Sequence, residues 1–229
     1  MYLVIDTATK DLGLALMDEA EVAGQFHWRT RQNHTAELVP AIRHLLSKAG
    51  IELHDLKGLV VSLGPGGFSG LRVGMTTAKG LAVSTGAPLV AVDTLDAAAF
   101  PMVGLGSPVC SLLPAGREEV AAAMYRGNGV EMEKTVEDHL TTIETLAGRV
   151  GEPTIFCGSI TQGMEQELRE RIGARALIPR GAGRATRAVQ MGEIGIRRIS
   201  RGDRDDPVTL QPLYLRRPSI TKPTRPPGG

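Results

Sequence analysis

The order in which short apolar runs recur is the strongest constraint on what this chain can fold into. "YLVID" (2–6), "LGLALMD" (12–18) and "EVAGQFHWRT" (21–30) read as three strands, the first two joined by a link short enough for a hairpin. "HTAELVPAIRHLLSKAG" (34–50) reads as an amphipathic helix, with Leu38, Ile42, Leu45 and Ala49 on one face and Gly50 as its stop. Pro40 either lies in its first turn or bends it. A strand at 58–63, a helix ending at Gly86, a strand at 88–93 and a short helix at 94–103 follow. The second half repeats that order more weakly. It has strands at 108–116, 118–127 and 129–135, a helix, a strand at 154–158, a helix at 160–173, a strand and a helix over much of 183–201.

Two successive β-β-β-α-β-α units suggest an α/β protein of two ribonuclease-H-like lobes, the architecture of the actin and sugar-kinase superfamily. The expected division is an N-terminal lobe over 1–105, a degenerate C-terminal lobe over 106–205, and a C-terminal segment over 206–229. "GLGSP" (104–108) marks the first boundary, and "RRPSITKPTRPPGG" ends the chain with the composition of a disordered tail. With 42% apolar residues the chain can build a real core, and a net charge of +1 gives no overall bias toward nucleic acid or membrane. Aromatics at 3% argue against a base-stacking platform. The N-terminus has no basic leader, and no run approaches the roughly 18 apolar residues of a membrane span. Cys110 and Cys157 show neither metal spacing nor a disulfide framework, so the expected setting is cytoplasmic and reducing.

"SLGPGGFSGLRVGMTTAKG" (62–80) carries six glycines and runs from a strand into a helix, with Ser69 as the expected N-cap and the helix regular from Leu71. Such a turn suits an anion. Its spacing matches neither a P-loop, which needs Lys and Ser/Thr after the last glycine, nor a dinucleotide fingerprint, whose third glycine would fall at Ser69. Gly70, Gly74, Ala78 and Ala82 recur every four residues and form a ridge without large side chains. Glycine within a helix costs about 1 kcal/mol against alanine, which close approach of another backbone offsets. That backbone belongs either to this chain or to a second protein.

The N-terminal half resembles the TsaB (YeaZ) family of bacterial proteins for tRNA threonylcarbamoyladenosine synthesis. The resemblance rests on "LVIDTAT" (3–9), "QNHTAELVPAI" (32–42) and above all "GPGGFSGLRVG" (64–74). "AVDTLDAAA" (91–99), "GREEVAAAMY" (116–125) and "PLYLR" (212–216) support it. The resemblance implies a non-catalytic paralogue of the transferase TsaD that pairs with and stabilises a TsaD-like subunit. A TsaE-like ATPase would join the assembled complex, tRNA would be reached through it, and ATP and metal would belong to the partner subunits. Pairing would use the helices 34–49 and 70–86, with His34, Leu38, Ala41, Ile42, Leu45, Phe68, Gly70, Leu71, Gly74, Met75 and Ala78 at the interface. The same face would form a homodimer of the isolated chain.

Residue chemistry agrees with lost catalysis. The catalytic relative holds its metal with two histidines four apart on a helix. His27, His34, His44, His54 and His139 contain no pair three or four apart, so neither a metal site nor a catalytic set is expected. Asp6, Thr7 and Thr9 stand where the superfamily's first phosphate loop would be, and Asp6 either holds a metal–nucleotide or ends the first strand. The second phosphate loop would need an acid where Pro114 stands, so no cofactor is expected on the chain alone. The alternatives are a peptidase-like enzyme, which lacks a recognisable Ser/His/Asp set, and a small-molecule kinase of the same fold, which lacks that acid. A cluster including Arg184, Arg187, Arg197, Arg198, Arg201, Arg204, Arg216 and Arg217 makes the last quarter basic. It is either a solvated helix face or a phosphate-binding one.

Overall fold

The computed structural model describes residues 1–30, 33–116, 118–128, 131–179 and 187–216. The first sheet contains β1 (Tyr2–Asp6), β2 (Asp11–Met17), β3 (Val22–Arg29), β4 (Gly58–Gly64) and β5 (Leu89–Asp93), in the order β3-β2-β1-β4-β5. β1 pairs antiparallel with β2 and parallel with β4. The second sheet contains β6 (Val109–Gly116), β7 (Glu119–Gly127), β8 (Met132–Thr142), β9 (Thr154–Gly158) and β10 (Ala176–Leu177), in the order β10-β9-β6-β7-β8. Numbered within its own lobe, each sheet runs 3-2-1-4-5, so the repeat read from the sequence is a repeat of topology.

Helices cover both faces of each sheet. On the first sheet's outer face lie α1 (His34–Ala49) and α2 (Phe68–Thr85), which bury Leu38, Ile42, Leu45, Met75, Ala78 and Ala82 against Leu3, Ile5, Leu14 and Val61. α1 keeps Pro40 inside it, on its exposed side, and stops at Gly50 in the left-handed region (φ 66°). α2 starts at Phe68, three residues earlier than its apolar pattern suggests. Gly67 is its N-cap, and Ser69 lies exposed in the first turn rather than capping it. α4 (Ile143–Ala147) and α5 (Gln162–Ile172) cover the outer face of the second sheet.

Between the sheets the two remaining helices are exchanged. α3 (Thr94–Ala99) follows β5, yet Leu95 and Ala99 pack with Val109, Ala121, Tyr125 and Ile155 of the second sheet. α6 (Ala188–Ser200) follows the second lobe, yet Ala188, Met191 and Ile196 pack with Val4, Ala15, Val60 and Val90 of the first. Gly192 and Gly195 set that approach: a Cβ at either would lie 2.2 Å from Met17 Sδ or 2.5 Å from Val60 Cγ2. The expected C-terminal lobe of 106–205 is corrected on this point, because its last helix belongs to the core of the first. The expected start of that helix, 183–186, lies outside the described residues, as do 217–229 of the tail.

The chain then straps the first sheet. Asp205 accepts from Ala91 N at 2.7 Å and its own N–H donates to Leu89 O, which occupies the open edge of β5. Leu213 N donates to Leu63 O, and Arg216 pairs with Glu119 across the lobes.

Candidate functional site

The small-residue ridge of α2 faces inward. A Cβ on Gly70 would lie 2.3 Å from Thr7 O, and one on Gly74 would lie 2.1 Å from Thr7 Oγ1. The close approach is therefore to the turn after β1. Leu38, Ile42, Leu45, Leu71, Met75 and Ala78 are buried on the same side. None of these residues, nor Gly70 and Gly74, presents surface to a partner, which corrects their expected place at an interface. Ala41 is half-buried against the same core. His34 is half-buried at the cleft, its Nε2 3.3 Å from Thr9 O. Phe68 alone of the expected set is exposed. Its ring meets Tyr214 with centroids 4.9 Å apart, and Arg72 lies 3.9 Å over it.

The outward face of the two helices is made by other residues. On α2 it runs Phe68, Arg72, Thr76, Gly80 and Ser84, again four apart, with Val83 beside it at 72% exposure. On α1 it runs Ala36, Val39, Pro40 and Arg43, with Val39 at 49%. Among the described residues a Cβ on Gly80 would meet nothing within 4 Å. Gly80 therefore costs about 1 kcal/mol of helix propensity with no use for it among the described residues.

A cleft of about 1020 Å³ separates the lobes. Asp6, Thr7, Thr9, Lys10, His34 and Gly66 line one wall, Leu113, Pro114, Gly158, Ser159 and Thr161 the other, and Arg187 the floor. Asp6 is 1% exposed. Its Oδ1 accepts from Ala8 N at 3.1 Å and its Oδ2 pairs with Arg187 Nη2 at 2.9 Å. Arg187 also donates to Thr9 Oγ1 and Ser159 Oγ, both at 3.2 Å. The expected nucleotide residues Asp6, Thr7 and Thr9 thus share one turn, but the cation beside them is a guanidinium 181 positions from Asp6. Sequence patterns had grouped Arg187 only with the basic end of the chain. That group is largely tied down internally: Arg198 pairs with Asp203 at 2.7 Å and Asp205 at 3.6 Å, and Arg197 lies over the Phe100 ring. Arg184 and Arg217 lie outside the described residues.

A second polar cluster joins the lobes. Asp93, Asp96 and Asp138 bring one carboxylate oxygen each within 4.8 Å of the others, a donor set of metal-binding type. Lys134 Nζ stands among them at 3.4, 2.8 and 2.7 Å, and Tyr125 donates to Asp96 at 2.8 Å. Burial, reinforced by Asp138 and Asp96, pushes the Asp93 carboxyl up to about 8 against the pull of Lys134. Burial likewise raises both thiols, Cys157 to about 12, so they are packed groups rather than nucleophiles. Among the described residues no helix is long and apolar enough to cross a membrane.

Comparison with known proteins places this geometry. The tRNA threonylcarbamoyladenosine biosynthesis protein TsaB of Bacillus subtilis is 28% identical over 217 residues, 93% of each chain. YeaZ from Pseudomonas aeruginosa has a TM-score of 0.76 at 23% identity, over 93% of this chain and 99% of that one. The activator of the 2-hydroxyisocaproyl-CoA dehydratase from Clostridium difficile, solved with bound ADPNP, has a TM-score of 0.53 at 9% identity, over 88% and 96%. These likenesses show that the two-lobed fold is shared with those solved structures. The family model described as TsaD, tRNA N6-adenosine threonylcarbamoyltransferase, matches residues 28–166, so the chain belongs to that family, and within it the chain resembles TsaB along nearly its whole length.

Proposed function

We propose that this protein is a non-catalytic subunit of the machinery that makes N6-threonylcarbamoyladenosine on tRNA, and that it works by docking α1 and α2 onto a TsaD-like catalytic subunit. The observation that carries the reading is the outward face of α2. A glycine stands there in open space, flanked by Thr76 and the exposed Val83, with Val39 exposed on α1. A helix that forgoes alanine on its solvent side and leaves valines beside it is shaped for close approach from outside. The inward ridge seats α2 on the turn after β1, and Leu38, Ile42 and Leu45 seat α1 in the same core, so both helices are held from behind. A TsaE-like ATPase and tRNA would be met through the assembled complex, and ATP and metal would be held by the partners. Without its partner the chain would pair with a second copy through the same face, making the two assemblies mutually exclusive.

The test is the double variant Val39→Glu/Val83→Arg, which alters only exposed side chains. It should leave the melting transition in place, abolish the homodimer on sedimentation, and weaken binding to the TsaD-like subunit by about thirtyfold or more. Wild-type affinity of a folded double variant would refute the docking face.

A further inference from the structure

We propose that the Arg187 guanidinium is this chain's own cation at the floor of the cleft, clasping the two lobes together and barring a metal-bound nucleotide from it. The inference rests on the two-lobed fold and not on the docking of α1 and α2. A protein of the same fold, the dehydratase activator, was solved with bound ADPNP, and the cleft between the lobes is where this chain has room for such a ligand. The residues here do not fit one. The acid that would face its metal, Asp6, has both carboxylate oxygens engaged, one by Ala8 N and one by Arg187. A divalent ion brought to Asp6 would meet a guanidinium 2.9 Å from the same oxygen, and like charges at that range repel strongly where water is scarce. On the opposite wall Pro114 offers no carboxylate.

Nor can Arg187 easily stand aside. It is the N-cap residue of α6, and α6 is seated on the first sheet through Gly192 and Gly195 with no room for even a methyl group. From that fixed base one nitrogen reaches Asp6 and Thr9 of the first lobe and another reaches Ser159 at the turn after β9 in the second. Its Nε is buried without an acceptor among the described residues. A charge held there at that cost has a partner that outweighs it, and the buried Asp6 carboxylate supplies it. The planar fork suits this bridge; a lysine could satisfy Asp6 but not both lobes.

The experiment has two arms. In the first, ADP and ADPNP are titrated into the wild-type chain with and without magnesium. The expected result is no magnesium-dependent saturation up to about 1 mM, the weak end of specific affinity. Saturable, magnesium-dependent binding that Asp6→Asn removes would overturn the proposal. In the second, amide exchange is followed in Arg187→Met. Exchange should quicken about tenfold or more in the 7–9 turn and the 158–161 turn together, since both lose the same tether. Where Arg187→Met fails to fold, Ser159→Ala removes only the bond across the cleft and should quicken the 158–161 turn alone. Unchanged exchange in these turns of a folded variant would equally overturn it. Both arms use the chain without a partner, so their outcome is independent of whether the helical face docks.

Discussion

Gly74 and Gly80 lie six residues apart in one helix, and replacing each with alanine should move stability in opposite directions. Either substitution gains about 1 kcal/mol of helix propensity. At Gly80 nothing among the described residues lies within 4 Å of the new methyl, so the whole gain is kept. At Gly74 the methyl would lie 2.1 Å from Thr7 Oγ1, against 3.4 Å for an ordinary contact, and 3.1 Å from both Thr7 Cβ and Cγ2. Turning the Thr7 side chain does not clear it, because Cβ itself is too near. Moving the turn is costly as well: Thr7 is wholly buried, its N–H donates to Ser62 Oγ, and the adjacent Asp6 is held by Arg187. Overpacking of this kind costs about 1–3 kcal/mol, and the fixed turn argues for the upper part of that range. Gly74→Ala should therefore be destabilised by about 1–2 kcal/mol net. In a chain of this size 1 kcal/mol is about 2–4 °C of melting temperature, so Gly80→Ala should melt a few degrees higher and Gly74→Ala a few degrees lower. Thermal and urea melts of the two variants beside wild type decide it. A Gly74→Ala protein at least as stable as wild type would mean that the ridge does not abut Thr7, and the inward assignment of this helix face would fall.

Two predictions concern the acidic cluster. A carboxyl raised to about 8 holds a proton in the folded chain that the unfolded chain lacks between about pH 4 and pH 8, so wild-type stability should fall as pH rises through that window, by up to about 1.4 kcal/mol per pH unit. Asp93→Asn, which mimics the protonated form and keeps a capping oxygen for α3, should flatten the slope between pH 6 and 8; urea midpoints at both values check it, and an undiminished slope would show that Asp93 is not the titrating group. Lys134→Met leaves three crowded carboxylates without their ammonium and should cost about 3–5 kcal/mol at pH 8 but distinctly less at pH 5.5, read from the same midpoints. An equal loss at both pH values would mean that packing of the lysine stem, not its charge, holds the cluster.

Much of the architecture was legible because it rests on local patterns. Alternating and continuous apolar runs marked the strands of the first sheet and most of the second, though β8 runs seven residues past the expected end at 135, and Gly50 and Gly86 marked helix ends where the chain does turn left-handed (φ 66° and 73°). The exchange of α3 and α6 was not legible. Both helices are apolar enough to pack anywhere, and only the tertiary fold decides which sheet receives them. "MGEIG" (191–195) carried a signal in retrospect: two glycines three apart in a helical stretch, both needed to let α6 lie on Met17 and Val60. The Asp6–Arg187 pair left no sequence signal, since a salt bridge across 181 positions has no spacing to read. The same holds for Lys134 among Asp93, Asp96 and Asp138, where only the Lys134–Asp138 step is a local one.

The helical face shows most clearly what periodicity leaves open. Positions 70, 74, 78 and 82 and positions 68, 72, 76, 80 and 84 are both rows on α2 with a spacing of four, and both contain glycine. A sequence row states that a face exists, not what it meets. What orients the helix is the turn before it: a Cβ on Gly66 would lie 2.3 Å from Ala8 O, and Gly67 N donates to that same oxygen at 2.7 Å. This turn pins the start of α2 to the loop after β1, and from there the Gly70 row can only run over Thr7. The glycines nearest the sheet are thus accounted for by the chain itself. Gly80, on the opposite row, is the one in this helix that no contact among the described residues accounts for, which is why the proposed docking face is centred on it.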